Sequence, residues 1–93
     1  MILNQPIFPG INSKSDSLIP FAFTGNPKKA TVVFASPFED ASYQVVFSVN
    51  TDGSKTYSPA AESKTASGFV INLHSNNLAG LNELGWFAIR PGV

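Results

Sequence analysis

The sequence predicts an all-β protein, specifically a six-stranded antiparallel β-sandwich with an irregular N-terminal arm. Short apolar segments recur about every ten residues between turn-forming Gly, Pro, Asn and Ser, which is typical of sandwiches and small barrels. Several of these segments alternate apolar and polar residues, as half-buried strands do. No segment of ten or more residues has the helical apolar period of about 3.6 residues, so we expect negligible helix.

The N-terminal region differs from the rest of the chain, and we divide the sequence into an arm over residues 1–17 and a sandwich domain over residues 18–93. Proline and glycine interrupt the apolar residues of the arm, which disfavours both helix and regular strand. The arm either packs irregularly on its own domain or extends and docks on a neighbouring subunit. The docking residues would be Ile2, Leu3, Ile7, Phe8 and Ile11.

Three strands are expected in the first half of the domain. Residues 18–23 form a short edge strand, because Pro20 cannot donate to a central ladder. Residues 30–35 form the second strand. Residues 43–50 form the third, in which apolar residues from Tyr43 onward alternate with mostly polar ones.

The second half begins with a turn signal at residues 51–54, where Asp-Gly favours a β-hairpin. Residues 55–65 are polar and contain a proline, so an edge strand is expected there. Residues 69–74 form the fifth strand. Residues 75–83 form a loop, and residues 84–90 form the last strand.

The predicted strands carry apolar residues on their outer faces as well as on their inner faces. A sandwich needs only one apolar face per sheet, so a second apolar face is typical of an oligomer interface. Charged residues make up only 13% of the 93-residue chain, about half of the usual fraction, which also favours a surface partly covered by partners. The interface residues would be Val46, Val70, Phe87 and Ile89.

The sequence argues against nucleic-acid binding, a membrane span and a secretory signal. Six basic residues balance six acidic ones, so there is no basic stripe for nucleic acid. No stretch approaches the length of about 18 apolar residues that a membrane span needs. The N-terminus lacks a basic segment followed by a continuous apolar run, so we expect no secretory signal.

The sequence contains no pattern that predicts catalysis, and we expect neither an enzyme nor a bound cofactor or metal. There is no cysteine and only one histidine, His74, so no metal-ligand spacing can be assembled. No nucleophile elbow accompanies the serines, and the carboxylates fall in predicted loops or at edges. Tyr57, on the polar edge strand, is the best aromatic candidate for stacking on a sugar, whereas Trp86 suits the core.

Three short motifs occur in an order that resembles the H-type lectin domain, a six-stranded antiparallel sandwich that typically forms trimers. They are FASPF at residues 34–38, SGF at residues 67–69 and WFAI at residues 86–89. The resemblance covers about residues 30–90. The resemblance implies a trimeric sandwich. Similar sandwiches occur both in secreted lectins and in bacteriophage virion proteins.

The departures from the lectins, together with the low charge, the apolar arm and the lack of a signal, favour a virion protein over a lectin. The lectins hold sugar between protomers with an arginine on the fourth strand and a Trp-His pair after the fifth. Residues 55–65 contain no arginine and residues 73–76 no tryptophan, so only His74 loosely corresponds to that site. We therefore expect a capsid decoration or tail-fibre component, assembled in the host cytoplasm and bound to other virion proteins.

The alternative is a carbohydrate-binding module that recognises a glycan on the host surface. Its sugar contacts would come from Tyr57 and His74. Sugar binding that is lost on substitution of either residue would distinguish this alternative from a purely structural role.

Overall fold

The computed structural model describes residues 11–91, and this part of the chain forms six β-strands. Their bounds are β1 Ile11–Leu18, β2 Lys29–Val33, β3 Gln44–Thr51, β4 Ala60–Thr65, β5 Gly68–Asn72 and β6 Leu81–Pro91. They form two three-stranded antiparallel sheets, ordered β1-β6-β3 and β2-β5-β4. The prediction of an all-β protein is therefore confirmed, and residues 11–91 contain no α-helix.

One apolar core takes side chains from both sheets. Phe69 of β5 and Trp86 of β6 meet edge to face, with ring centres 5.4 Å apart. Phe34, which follows β2, contacts both of these rings, at 5.9 and 5.7 Å. The three motifs that carry the family resemblance thus meet in the core, where aromatic pairs of this geometry add to the energy of burial.

The alternation predicted for the central strands is confirmed. In β5, Phe69 and Ile71 are buried, and Leu73 continues the same face beyond the strand end. In β6, Trp86 and Ala88 are buried, whereas the residues between and after them are exposed. Strand β6 begins at Leu81, three residues before the predicted start, because Leu81 is itself buried in the core.

The prediction of an irregular arm is wrong for residues 11–17. They belong to β1, which pairs with β6 from Ile11 opposite Pro91 to Leu18 opposite Leu84. A backbone ladder needs no apolar side chains, so the polar serines of this segment serve well in an edge strand. Ile11 is therefore a strand residue, and the other four docking residues, in residues 1–10, lie outside the described part of the chain.

The strand predicted over residues 18–23 does not form. Pro20–Ala22 is a single 3-10 turn, closed by hydrogen bonds from the Ala22 amide to Ile19 and from the Phe23 amide to Pro20. The fixed φ of proline suits the first position of such a turn. The turn directs Phe23 into the core.

The hairpin predicted at residues 51–54 is also wrong, although the turn itself exists. Gly53 has a φ of +88°, and the Asp52 carboxylate accepts a hydrogen bond from the Ser54 amide. The chain then crosses to the other sheet, where β4 pairs with β5, whereas β3 pairs with β6. Strand β4 is the polar edge strand that was predicted, shortened to Ala60–Thr65.

Candidate functional site

An apolar patch lies on the outward face of the β1-β6-β3 sheet. It consists of Val46, Phe87 and Ile89, which we call the outer patch. These side chains are 54%, 48% and 39% exposed. Val46 lies directly opposite Phe87 across the β3–β6 pair, and Ile89 follows two residues later on the same face.

A groove of about 490 Å³ continues from the outer patch along the same face. Its floor is Gly85, in the centre of the sheet, where Ser17 of β1 and Ser48 of β3 stand on either side. Phe87 closes the groove on the patch side, and Glu83 lies at the far end.

Gly85 is not required by the backbone. A Cβ atom there would lie 3.7 Å from Ser48 Cβ and 3.8 Å from its carbonyl oxygen, both ordinary contacts. Gly68 is different, because a Cβ there would lie within 2.0 Å of the Val32 carbonyl oxygen. A glycine inside a strand often marks a place where another backbone or a ligand approaches closely. Sequence reasoning missed this groove, although a glycine between Leu84 and Trp86 was the available signal.

Val70, the fourth predicted interface residue, lies away from the other three. It is half-buried on the outward face of the second sheet, opposite Thr31 of β2 and Glu62 of β4. Val33, at 74% exposed, is on the same face. The predicted interface therefore divides between two sheets, and only the outer patch brings its members together.

Tyr57 and His74, the predicted sugar contacts, both hold the crossover between β3 and β4 against the loop that precedes β6. The Tyr57 hydroxyl donates to the Ala79 carbonyl at 2.6 Å, and Nδ1 of His74 lies 2.8 Å from the Ser58 carbonyl oxygen. Partial burial, with a smaller contribution from the Asp52 carboxylate, raises the pKa of Tyr57. Each side chain thus has a structural role that occupies the polar atom named here.

Two ion pairs lie away from the outer patch. Arg90 at the end of β6 binds Asp40 with Nε and Nη2, each 2.9 Å from a carboxylate oxygen. These hydrogen bonds, followed by one from the Ser42 amide, hold the pKa of Asp40 well below its usual range. Nζ of Lys29 lies 2.5 Å from Oε1 of Glu62. The hydrogen bond from Lys29 is the main reason that the pKa of the Glu62 carboxyl is lowered.

The described residues contain no cluster of three or more His, Cys, Asp or Glu that could hold a metal ion. Within residues 11–91 no helix is long and apolar enough to cross a membrane. The 3-10 turn presents two further apolar side chains that sequence reasoning placed in a strand, Ile19 at 60% and Phe21 at 90% exposed.

Comparison with protein-family models, curated proteins and solved structures found no match.

Proposed function

We propose that the chain is a non-enzymatic structural protein of a bacteriophage virion, a capsid decoration or tail-fibre component that acts as a trimer. In this proposal the two sheets form a six-stranded sandwich of the H-type lectin kind. The protein assembles in the host cytoplasm and docks on other virion proteins.

The observation that carries the proposal is the outer patch. Three apolar side chains, from adjacent strands, stand together on a face that an isolated subunit would leave to water. Contiguous exposed apolar surface is a mark of protein interfaces. The outward positions beside the patch are uncharged Ser and Gln residues, so a neighbouring subunit can cover the outer patch without burying a charge.

The fold and the three sequence motifs support the virion part of the proposal. Two antiparallel sheets of three strands agree with the six strands that the resemblance implies. The aromatic residues of the motifs pack in one core, as they should if the motifs specify the fold. The sugar contacts of the lectins have no full counterpart, and Tyr57 and His74 are engaged with backbone carbonyls.

The test is the mass of the protein in native solution. We expect a trimer by native mass spectrometry and light scattering, and Phe87→Ser should raise its dissociation constant at least tenfold by removing apolar contact area. Phe21→Ser is the control, because it removes the same side chain from a site outside the patch that is more exposed, at 90% against 48% for Phe87. A wild-type chain that stays monomeric at high concentration would refute the assembly.

A further inference from the structure

We propose that the outer patch and the groove at Gly85 receive residues 1–10 of a second copy of the chain. We call residues 1–10 the N-terminal segment. This inference rests on the proposed self-association and names what covers the face. The segment of one subunit would lie along the outward face of β1-β6-β3 of its neighbour, so that subunits are joined by exchanged segments.

The shape of the face suits an extended chain. A flat contact through Val46, Phe87 and Ile89 alone would be small, since a stable interface buries about 800 Å² on each partner. The face is not flat, because the groove runs on from Phe87 over Gly85. A groove over a glycine that the backbone does not require suits an extended chain, whose backbone can approach the sheet closely.

The N-terminal segment and the outer patch are chemically complementary. The N-terminal segment, MILNQPIFPG, contains four large aliphatic or aromatic residues after Met1 and no charged side chain. The outer patch and the outward positions beside it carry no charge, whereas two exposed carboxylates, Asp16 and Glu83, line the groove. The contact over the outer patch therefore desolvates no ion.

The starting position of β1 and the length of the N-terminal segment fit this arrangement. Strand β1 begins at Ile11, and Ile89 lies opposite Ser13, only two residues further along. In this arrangement a segment that continued the line of β1 would pass the end of its own sheet at Pro91 and would be placed to lie on a neighbour. Ten extended residues reach about 33 Å, whereas the face from Ile89 to Glu83 is about 20 Å long. The segment is long enough to cover both the patch and the groove.

The absence of cysteine from the chain allows a direct test by disulfide trapping. Asn4→Cys and Gln5→Cys are made as separate variants, because successive side chains of an extended segment point in opposite directions. Each is mixed with Ser48→Cys, which places a thiol beside the groove, and the mixture is oxidised. Thr31→Cys, exposed on the other sheet, is the matched control acceptor.

We expect a disulfide-linked heterodimer of Ser48→Cys with one of the two segment variants, at least fivefold more abundant than the product with Thr31→Cys. A trimer that gives no excess linkage to Ser48→Cys would overturn segment exchange and leave self-association standing. Linkage confined to one chain, in a protein that carries both cysteines, would also overturn it. A wild-type monomer would refute the proposed assembly and this inference together.

Discussion

The hydroxyl oxygen of Tyr43 lies 2.8 Å from the carbonyl oxygen of Gly68, and this hydrogen bond joins the two sheets. Tyr43 immediately precedes β3, whereas Gly68 is the first residue of β5. The same hydroxyl lies 2.9 Å from the Thr65 carbonyl at the end of β4. Tyr43 is fully buried, and its burial raises its pKa. One side chain thus fixes the ends of three strands.

Tyr43→Phe should lower the free energy of unfolding by about 1–3 kcal/mol, because the Thr65 and Gly68 carbonyls both lose their hydrogen bond to this hydroxyl. Of the side-chain hydrogen bonds to Gly68, only the longer one from the Thr65 hydroxyl, at 3.3 Å, remains. Urea unfolding of the two proteins measures the difference. Tyr57→Phe is the control, since it removes a hydroxyl whose hydrogen bond is exposed and should cost less. Equal losses in the two variants would show that the Tyr43 hydrogen bond has no special importance.

The two glycines at strand positions should respond to alanine in opposite ways. Gly68→Ala should destabilise the fold by about 1–3 kcal/mol, because its Cβ would strike the backbone of Val32. Gly85→Ala meets only ordinary contacts and should be neutral or stabilising by up to about 1 kcal/mol. Thermal and urea unfolding of both variants provide the comparison.

The Gly85 variant also tests why a glycine stands there. A methyl group on the groove floor should weaken self-association of the otherwise stable protein, because it keeps a neighbouring chain away from the sheet. Gly85→Ala with unchanged assembly would mean that nothing approaches the groove closely. A strongly destabilised Gly85→Ala would mean that the glycine is required by the subunit itself.

Alternation predicted most of the strands, because each buries one face against a shared core. Phe69, Ile71 and Trp86, which alternation in the sequence assigns to the inner faces of their strands, are buried in the structure. The same alternation predicted that Phe87 and Ile89 point outward. Side-chain period is a local property, so it can be read without knowing which strands are neighbours.

Strand pairing could not be predicted in the same way. The Asp-Gly turn after β3 favours a hairpin locally, yet β3 pairs with β6, which lies 30 or more residues further along the chain. Strand β1 was missed because its serines carry no apolar pattern, and its position depends on backbone pairing with β6. Val70 was grouped with the outer patch for this reason, since alternation does not tell which sheet a strand joins.

Acid should destabilise the protein partly through Asp40. Arg90 lowers the pKa of this carboxyl in the folded state, so the carboxylate stabilises the fold above its unfolded pKa of about 3.9. That contribution is lost as the pH falls through the lower folded value. We expect Asp40→Asn to be less stable than wild type at pH 7 and to lose less stability on acidification.

Urea unfolding at several pH values from 7 downward measures this dependence for both proteins. Glu83→Gln is the control, because it removes an exposed carboxyl from the other end of β6 and leaves the pair of Asp40 with Arg90 in place. An Asp40→Asn variant with the same pH dependence as wild type would mean that the ion pair forms equally well in the unfolded chain.

The crossover between β3 and β4 should loosen when its two side-chain hydrogen bonds are removed. In the double variant Tyr57→Phe, His74→Ala, the Ala79 and Ser58 carbonyls lose the partners they have in the wild type. We expect faster amide hydrogen exchange over residues 52–58 and a loss of about 1–2 kcal/mol in unfolding free energy. Thr56→Ala, which changes an exposed side chain of the same segment, is the control. Unchanged exchange, together with a glycan signal that His74→Ala abolishes, would instead assign the histidine to ligand binding.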